Sequence, residues 1–391
     1  MKQILYLSTV VFLFILTGCN DGEPLPRSDI ASDLQSGEYV FTLDEAVEYA
    51  ASAGLPGEEI ATRAGSRTVA QAGSIGEGTP DMHIVNYAGG GYAIISADTR
   101  LEPLLAYSYE GSFDFDGEIP YGFQLWMNNV SLDIASKRAQ NAVQSPALAA
   151  RWGAFAAAGN ALMVMPPPTS CSPNGAYYPN YHTELYGPLL TTASWHQGVG
   201  FNDALPYRGC SSYSNFRPPV GCVPLACAKV MKHYQKPTNL SWASMGSGSS
   251  ALQTLLKNLG TQLGTTYSCS ESVTLGSVVA GVLINNYGYS SCPVSGYNYS
   301  SVYSFIINNK PVLMGGFGPT GGHMWVCDGL ELVYDGTCNG NTITTTLWNK
   351  YLHMDWGWGI GSMPPTYCSE TYFGAHGYSF NNSVSIYLLS K

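Results

Sequence analysis

Cysteine divides this chain before any helix or strand is considered. Of ten cysteines in 391 residues, Cys19 stands alone near the start, and the other nine, at 171, 210, 222, 227, 269, 292, 327, 338 and 368, all follow residue 170. The length exceeds one ordinary domain and points to two, each able to bury a core. Nine is odd, so at least one thiol stays unpaired even where the other eight form disulfides, and the spacing does not fix the pairing. No C-x-x-C pair occurs, so neither a structural zinc site nor any other metal or cofactor is expected.

The N-terminus is read as an export signal. Lys2 precedes an apolar run from Ile4 to Leu16, too short to span a bilayer and right for a signal h-region. It ends in Leu16-Thr17-Gly18-Cys19, which is similar to a bacterial lipobox, so Cys19 is the expected lipidation site and Asn20 to Pro24 a polar tether. The expected location is outside the cytoplasm, anchored by lipid to a bacterial membrane or cell surface. Composition agrees: charged residues make up only 11%, against roughly 25% in an average soluble protein. The polar surface falls to Ser, Thr, Asn, 44 Gly and 27 Tyr, a pattern of exported proteins. Lys+Arg 17 against Asp+Glu 27 gives a net charge of −10, which excludes a nucleic-acid binder needing a basic face.

The cysteine-free part reads as a small α+β module. Thr42-Leu43-Asp44-Glu45 is a capping box, followed by Leu43, Ala46, Val47 and Ala50 at helical spacing. His83 to Tyr87, a Gly-rich turn and Tyr92 to Ser96 predict a β-hairpin. A second helix is predicted from Gly122 to about Arg138, with Phe123, Trp126, Met127 and Val130 on one face. From Gln144 to Ser172, Ala and then Pro166-Pro167-Pro168 dominate, which reads as a joint between domains. Beyond it, helical pattern is scarce apart from Cys222 to Tyr234, halted by Lys236-Pro237. Val312 to Met314, Met324 to Cys327 and Ser383 to Leu389 read as strands, so a helical start followed by an antiparallel sheet or barrel is expected.

Three segments carry chemistry. In Gly221-Cys222-Val223-Pro224, Pro in the first helical turn puts Cys222 at a helix N-terminus. The free N–H groups and positive dipole end there favour a thiolate and can hold an oxyanion. In Gly321-Gly322-His323-Met324, an imidazole opens an apolar strand, where it could take the Cys222 proton and return it to a leaving amine. In His353-Met354-Asp355-Trp356-Gly357-Trp358, two indoles make a rigid wall, and Asp355 or a Trp could orient His323. Each has a plainer reading: half a disulfide, a structural histidine, and two core tryptophans before a turn.

In this order the three segments resemble the streptopain family of papain-like cysteine proteases. The similarity extends to Pro188-Leu189-Leu190 with Trp195-His196-Gln197-Gly198, to Gly377-Tyr378-Ser379-Phe380-Asn381-Asn382, and, in the first half, to Gly91 to Asp98 and Leu104 to Phe113 of an inhibitory prodomain. The resemblance implies an α+β fold, a papain-like catalytic domain behind a small α+β prodomain. It implies Cys222 as nucleophile, His323 as general base and acid, Gln197 as an oxyanion donor, and Trp356 as the indole that shields the histidine. Asp355 departs from the Asn usual in relatives, which should strengthen the ion pair. The segment Gly315 to Gly318 is expected as a loop lining the substrate pocket.

The expected division is 1–19 signal, 20–150 prodomain, 151–175 linker with the maturation site, and 176–391 protease domain. The expected partners are protein or peptide substrates, the chain's own prodomain, and a membrane reached through lipid. The competing functions are a non-enzymatic lipoprotein using the Tyr-rich half for adhesion or glycan binding, and a cysteine amidase or transpeptidase on the same fold.

Overall fold

The computed structural model describes residues 39–53, 55–56, 67–158, 171, 175–318, 321–361, 363–374 and 384–391. The signal with Cys19, the Pro166–Pro168 run and the Gly377–Asn382 segment lie outside the described residues.

The N-terminal part opens with α1 (Leu43–Ala53), whose predicted capping box is present: the Thr42 amide donates to Glu45 Oε2 at 2.7 Å and the Glu45 amide to Thr42 Oγ1 at 3.3 Å. Four antiparallel strands follow, β1 (Val69–Ile75), β2 (Met82–Tyr87), β3 (Tyr92–Ser96) and β4 (Leu104–Ser108), with β2 and β3 forming the predicted hairpin. Next comes α2 (Tyr121–Ala139), which buries Phe123, Trp126, Met127, Val130 and Ile134. The Ala-rich start of the expected connector is helical, forming α3 (Pro146–Ala158). Its Arg151 is buried against Asp335, with Nη1 2.6 and 2.8 Å from the two carboxylate oxygens, and its Trp152 Nε1 donates to Leu101 O at 2.9 Å.

The C-terminal part starts with β5 (Tyr177–Tyr186) and a helical layer: α4 (Cys222–Tyr234), α5 (Ser250–Gln262), α6 (Val279–Tyr287) and α7 (Tyr299–Ile307), with short strands β6 (Thr266–Tyr267), β7 (Ser272–Val273) and β8 (Val294–Gly296) between them. Three of these helices exceed the sequence expectation. The strands β9 (Val312–Gly318), β10 (Gly321–Asn339), β11 (Thr342–Asp355), β12 (Thr366–Ser369) and β13 (Val384–Tyr387) then build the sheet. The segment Gly315 to Gly318, expected as a loop, belongs to β9. Gly316 there faces Leu125 of α2 so closely that a Cβ would lie 2.4 Å from its Cδ1.

One antiparallel sheet runs through both parts in the order β1-β2-β3-β4-β12-β11-β10-β9-β13-β8, with β5 pairing the far half of β10. The junction is β4 on β12, where Tyr107 pairs with Tyr367 and Ala106 with Cys368. An edge strand otherwise leaves unpaired N–H and C=O groups; here the N-terminal part supplies its neighbour. One core lies between this sheet and α2 and includes Phe123, Trp126, Trp325 and Trp356, while another surrounds α4. Two disulfides form among the described residues, Cys171–Cys338 and Cys210–Cys269; Cys222, Cys227, Cys292, Cys327 and Cys368 are buried and lie outside these two bonds.

Candidate active site

Cys222 is the first residue of α4. The turn before it needs Gly221, whose φ of +94° is a left-handed angle and whose Cβ would approach Ser272 O at 3.1 Å. Val223, Leu225, Ala226, Val230 and Met231 sink into the helical core, so the helix axis and the thiol at its N-terminal end are rigidly set. Among the five described cysteines outside those disulfides, only Cys222 stands at a helix N-terminus. Burial pushes the thiols of Cys227, Cys327 and Cys368 well up and that of Cys292 up to about 11, which leaves those four poor nucleophiles at neutral pH.

His323 sits near the start of β10, fully buried, in register with Gly316 of β9. Its Nε2 lies 2.8 Å from the Trp356 carbonyl oxygen. A carbonyl only accepts, so Nε2 carries the hydrogen. Nδ1, on the other side of the ring, makes no hydrogen bond within the described structure. A histidine held this way through one nitrogen is set to take a proton on the other. The Trp325 ring lies nearly parallel to the imidazole, 6.0 Å between centroids at 12°.

Two expected contacts are made differently. Asp355 makes no direct hydrogen bond to the imidazole. Its carboxylate accepts from Lys229 Nζ at 2.6 and 2.7 Å and from the Gly357 amide at 3.0 Å. The reason is electrostatic: a buried carboxylate needs a counter-charge, and Lys229 is the buried cation beside it. Trp356 does meet His323, but the recorded contact is its carbonyl. Its indole packs on Trp325 at 5.5 Å and on Phe123 of α2 at 5.3 Å. The ring alongside the imidazole is Trp325, which the sequence reading left unassigned.

Gln197 is 7% exposed, and its carbonyl accepts from the Val220 amide at 2.9 Å, two residues before Cys222. It lines a cleft of about 330 Å³ together with His196, Tyr213, Gly357 and Trp358. Burial lowers the His196 pKa, and the Lys229 charge lowers it further. Glu118, from the segment leading into α2, enters the same cleft. Behind it, α2 approaches the aromatic wall so closely that a Cβ on Gly122 would lie 2.7 Å from the Trp325 ring and 3.1 Å from that of Trp356. The N-terminal part therefore lines this cleft through Glu118 and covers the aromatic backing of His323; the cleft wall includes neither His323 nor Cys222, which is only 4% exposed. No group of His, Cys, Asp and Glu able to hold a metal ion occurs among the described residues.

Sequence reasoning missed Lys229, Trp325 and Glu118. Lys229 did leave a trace: it is a cation seven residues after Cys222, hence on the same face, and every helix residue from Cys222 up to it is uncharged. Glu118 left none, because its role depends on how two distant parts of the chain dock.

The Spi protease inhibitor family model matches residues 44–134, and the Peptidase C10 family model matches residues 240–363, a stretch that holds His323 and Trp356 and begins after Cys222. Streptopain of Streptococcus pyogenes is 22% identical over 337 residues, covering 71% of this chain and 71% of that protein. A fragment of prointerpain A from Prevotella intermedia is similar in structure, with a TM-score of 0.54 at 20% identity, covering 81% of this chain and 97% of that one. That likeness extends across both parts and establishes the fold, a papain-like domain preceded by a prodomain. The N-terminal part thus matches a protease-inhibitor family and the C-terminal part a cysteine-peptidase family, the chain order of a streptopain-like cysteine peptidase behind its own prodomain.

Proposed function

We propose that this protein is an exported, lipid-anchored cysteine endopeptidase made as a zymogen, with Cys222 and His323 as its dyad. The proposed division is a signal over 1–19 with Cys19 lipidated, a prodomain over 20–150, a linker over 151–175 and a protease domain over 176–391. The observation that carries the reading is the hydrogen bond between His323 Nε2 and the Trp356 carbonyl, which leaves the buried Nδ1 without a hydrogen-bond partner among the described residues and suits it to act as the base.

The proposed steps follow from these groups. Nδ1 takes the Cys222 proton, and the helix N-terminus favours the thiolate that remains. The thiolate attacks a peptide carbonyl, and the oxyanion is held by the Cys222 backbone N–H and the Gln197 side chain. The imidazolium gives its proton to the departing amine as the C–N bond breaks, leaving a thioester on Sγ. His323 then deprotonates a water that attacks the thioester, and the acid leaves as the thiol is regenerated.

In the zymogen, Glu118 in the cleft and α2 on the Trp325–Trp356 wall support steric inhibition by the prodomain. Cys171 is bonded to Cys338, so the maturation cut is proposed N-terminal to Cys171; a cut beyond it would leave the prodomain tied on by the disulfide.

Cys222→Ala tests the reading. The variant should keep the wild-type far-ultraviolet spectrum and melting temperature while losing all peptide cleavage and self-processing. Retained cleavage in that variant eliminates the dyad.

A further inference from the structure

We propose that the buried Lys229–Asp355 ion pair is a positioning device for the dyad, locking the peptide plane that holds His323 to the helix that carries Cys222. This rests on the Cys222–His323 reading above.

Lys229 and Asp355 are 0% and 2% exposed. Lys229 Nζ donates to both Asp355 oxygens, at 2.6 and 2.7 Å, and to the Thr192 carbonyl at 2.9 Å, which satisfies its three hydrogens. Lys229 is seven residues after Cys222 in the same helix, two turns along and nearly in line with it.

On the other side, Asp355 Oδ1 accepts from the Gly357 amide at 3.0 Å. That N–H and the Trp356 carbonyl belong to one peptide group. Its N–H end is held by Asp355, and its C=O end accepts from His323 Nε2 at 2.8 Å. A peptide group is planar, so fixing one end fixes the direction of the other. The chain of contact therefore runs from α4 through Lys229 and Asp355 to the Trp356–Gly357 peptide and then to the imidazole. The plane sits at a turn where Gly357 takes a φ of +78°, and nothing in regular secondary structure holds it.

The pair also explains why an acidic residue can stand where an amide would suffice. An Asn could accept from Gly357 as well, but it would leave the Lys229 ammonium buried without a counter-charge. Lys229 and Asp355 are a matched choice, and the match can be exchanged as a unit for Gln and Asn.

The test uses the full-length chain, converted by resin-bound wild-type enzyme that is then filtered away, with C222A alongside. Melting temperature, kcat and KM on one peptide substrate are read for K229M, D355N and K229Q/D355N. K229M should lower kcat by about 100-fold with KM nearly unchanged, as expected when a catalytic group is misplaced by an ångström or so. K229Q/D355N, which restores a neutral hydrogen-bonded pair, should return to within about fivefold of wild type, a partial rescue of the positioning just described. Should K229M fail to fold, the double variant alone decides: folded and active upholds the proposal, folded with kcat still down about 100-fold overturns it. A folded K229M with wild-type kcat, or one altered only in KM, also overturns it. Activity surviving in C222A would instead sink the dyad itself, so the two failures are distinct.

Discussion

Replacing Gly122 by Ala places one methyl group where the docked prodomain has no room for it. The Cβ would sit 2.7 and 2.8 Å from two atoms of the Trp325 ring, below the separation that carbon atoms tolerate, and a tight 3.1 Å from the Trp356 ring. Both rings are 1% exposed and packed against each other, and Trp356 is also packed against Phe123, so neither can swing aside. The helix must lift instead. Overpacking of this kind costs about 1–3 kcal/mol. The substitution also raises helix propensity by about 1 kcal/mol, but α2 gains that whether docked or released, so it cancels from the docking equilibrium. The population of zymogen with its prodomain displaced should therefore rise roughly 5- to 150-fold, at 1.4 kcal/mol per tenfold. The assay is the rate of Cys222 alkylation in full-length chain, read by peptide mass spectrometry, with the self-processing half-life in parallel. Both should quicken together in G122A. Alkylation and processing at the wild-type rates, in a folded variant, would refute the reasoning that this contact holds the prodomain down.

Processing that frees the prodomain should need no reductant, and non-reducing electrophoresis of the processed chain should show a separated prodomain; a prodomain released only by dithiothreitol would put the cut beyond Cys171. Removing that crosslink, which spans 167 residues, with Cys171→Ser should cost the processed enzyme about 2–5 kcal/mol, read by urea denaturation, with no loss meaning the bond is not formed. Burial raises the Glu102 carboxyl from 4.5 to about 7, against the pull of Arg151 and the Trp348 indole. Between those two values the folded chain holds a proton that the unfolded chain lacks, so this group's contribution makes the zymogen more stable as pH falls from about 7 towards 4.5. Glu102→Gln should flatten that part of the melting-temperature profile; an unchanged slope would deny Glu102 the role.

Local signals in the sequence carried much of the result. The capping box at Thr42, the hairpin around Gly90, the helix through Trp126 and the helix opened by Cys222 are each set by neighbours within a few residues, and each is found in place. The helix over Ser250–Gln262 was not read, although Leu252, Leu255, Leu256 and Leu259 follow helical spacing behind a Ser249 cap, because the Gly- and Ser-rich surroundings hide its period. What could not be read is what depends on docking. The joining of β4 to β12, the approach of Gly122 to Trp325 and the entry of Glu118 into the cleft pair residues more than 70 positions apart with no repeat or spacing to announce them. Asp355 shows the intermediate case. Its departure from Asn was visible, and so was a Lys in mid-helix two turns after Cys222, but only their contact at 2.6 Å explains both.

The most direct measurement is the chemical state of Cys222 in the processed enzyme. Brief treatment with an epoxide-type thiol inhibitor, followed by peptide mass spectrometry, should place one adduct on Cys222, leave Cys227, Cys292, Cys327 and Cys368 unmodified, and extinguish peptidase activity in proportion to the adduct. An active enzyme whose Cys222 is unmodified, or is found in a disulfide, would contradict the account.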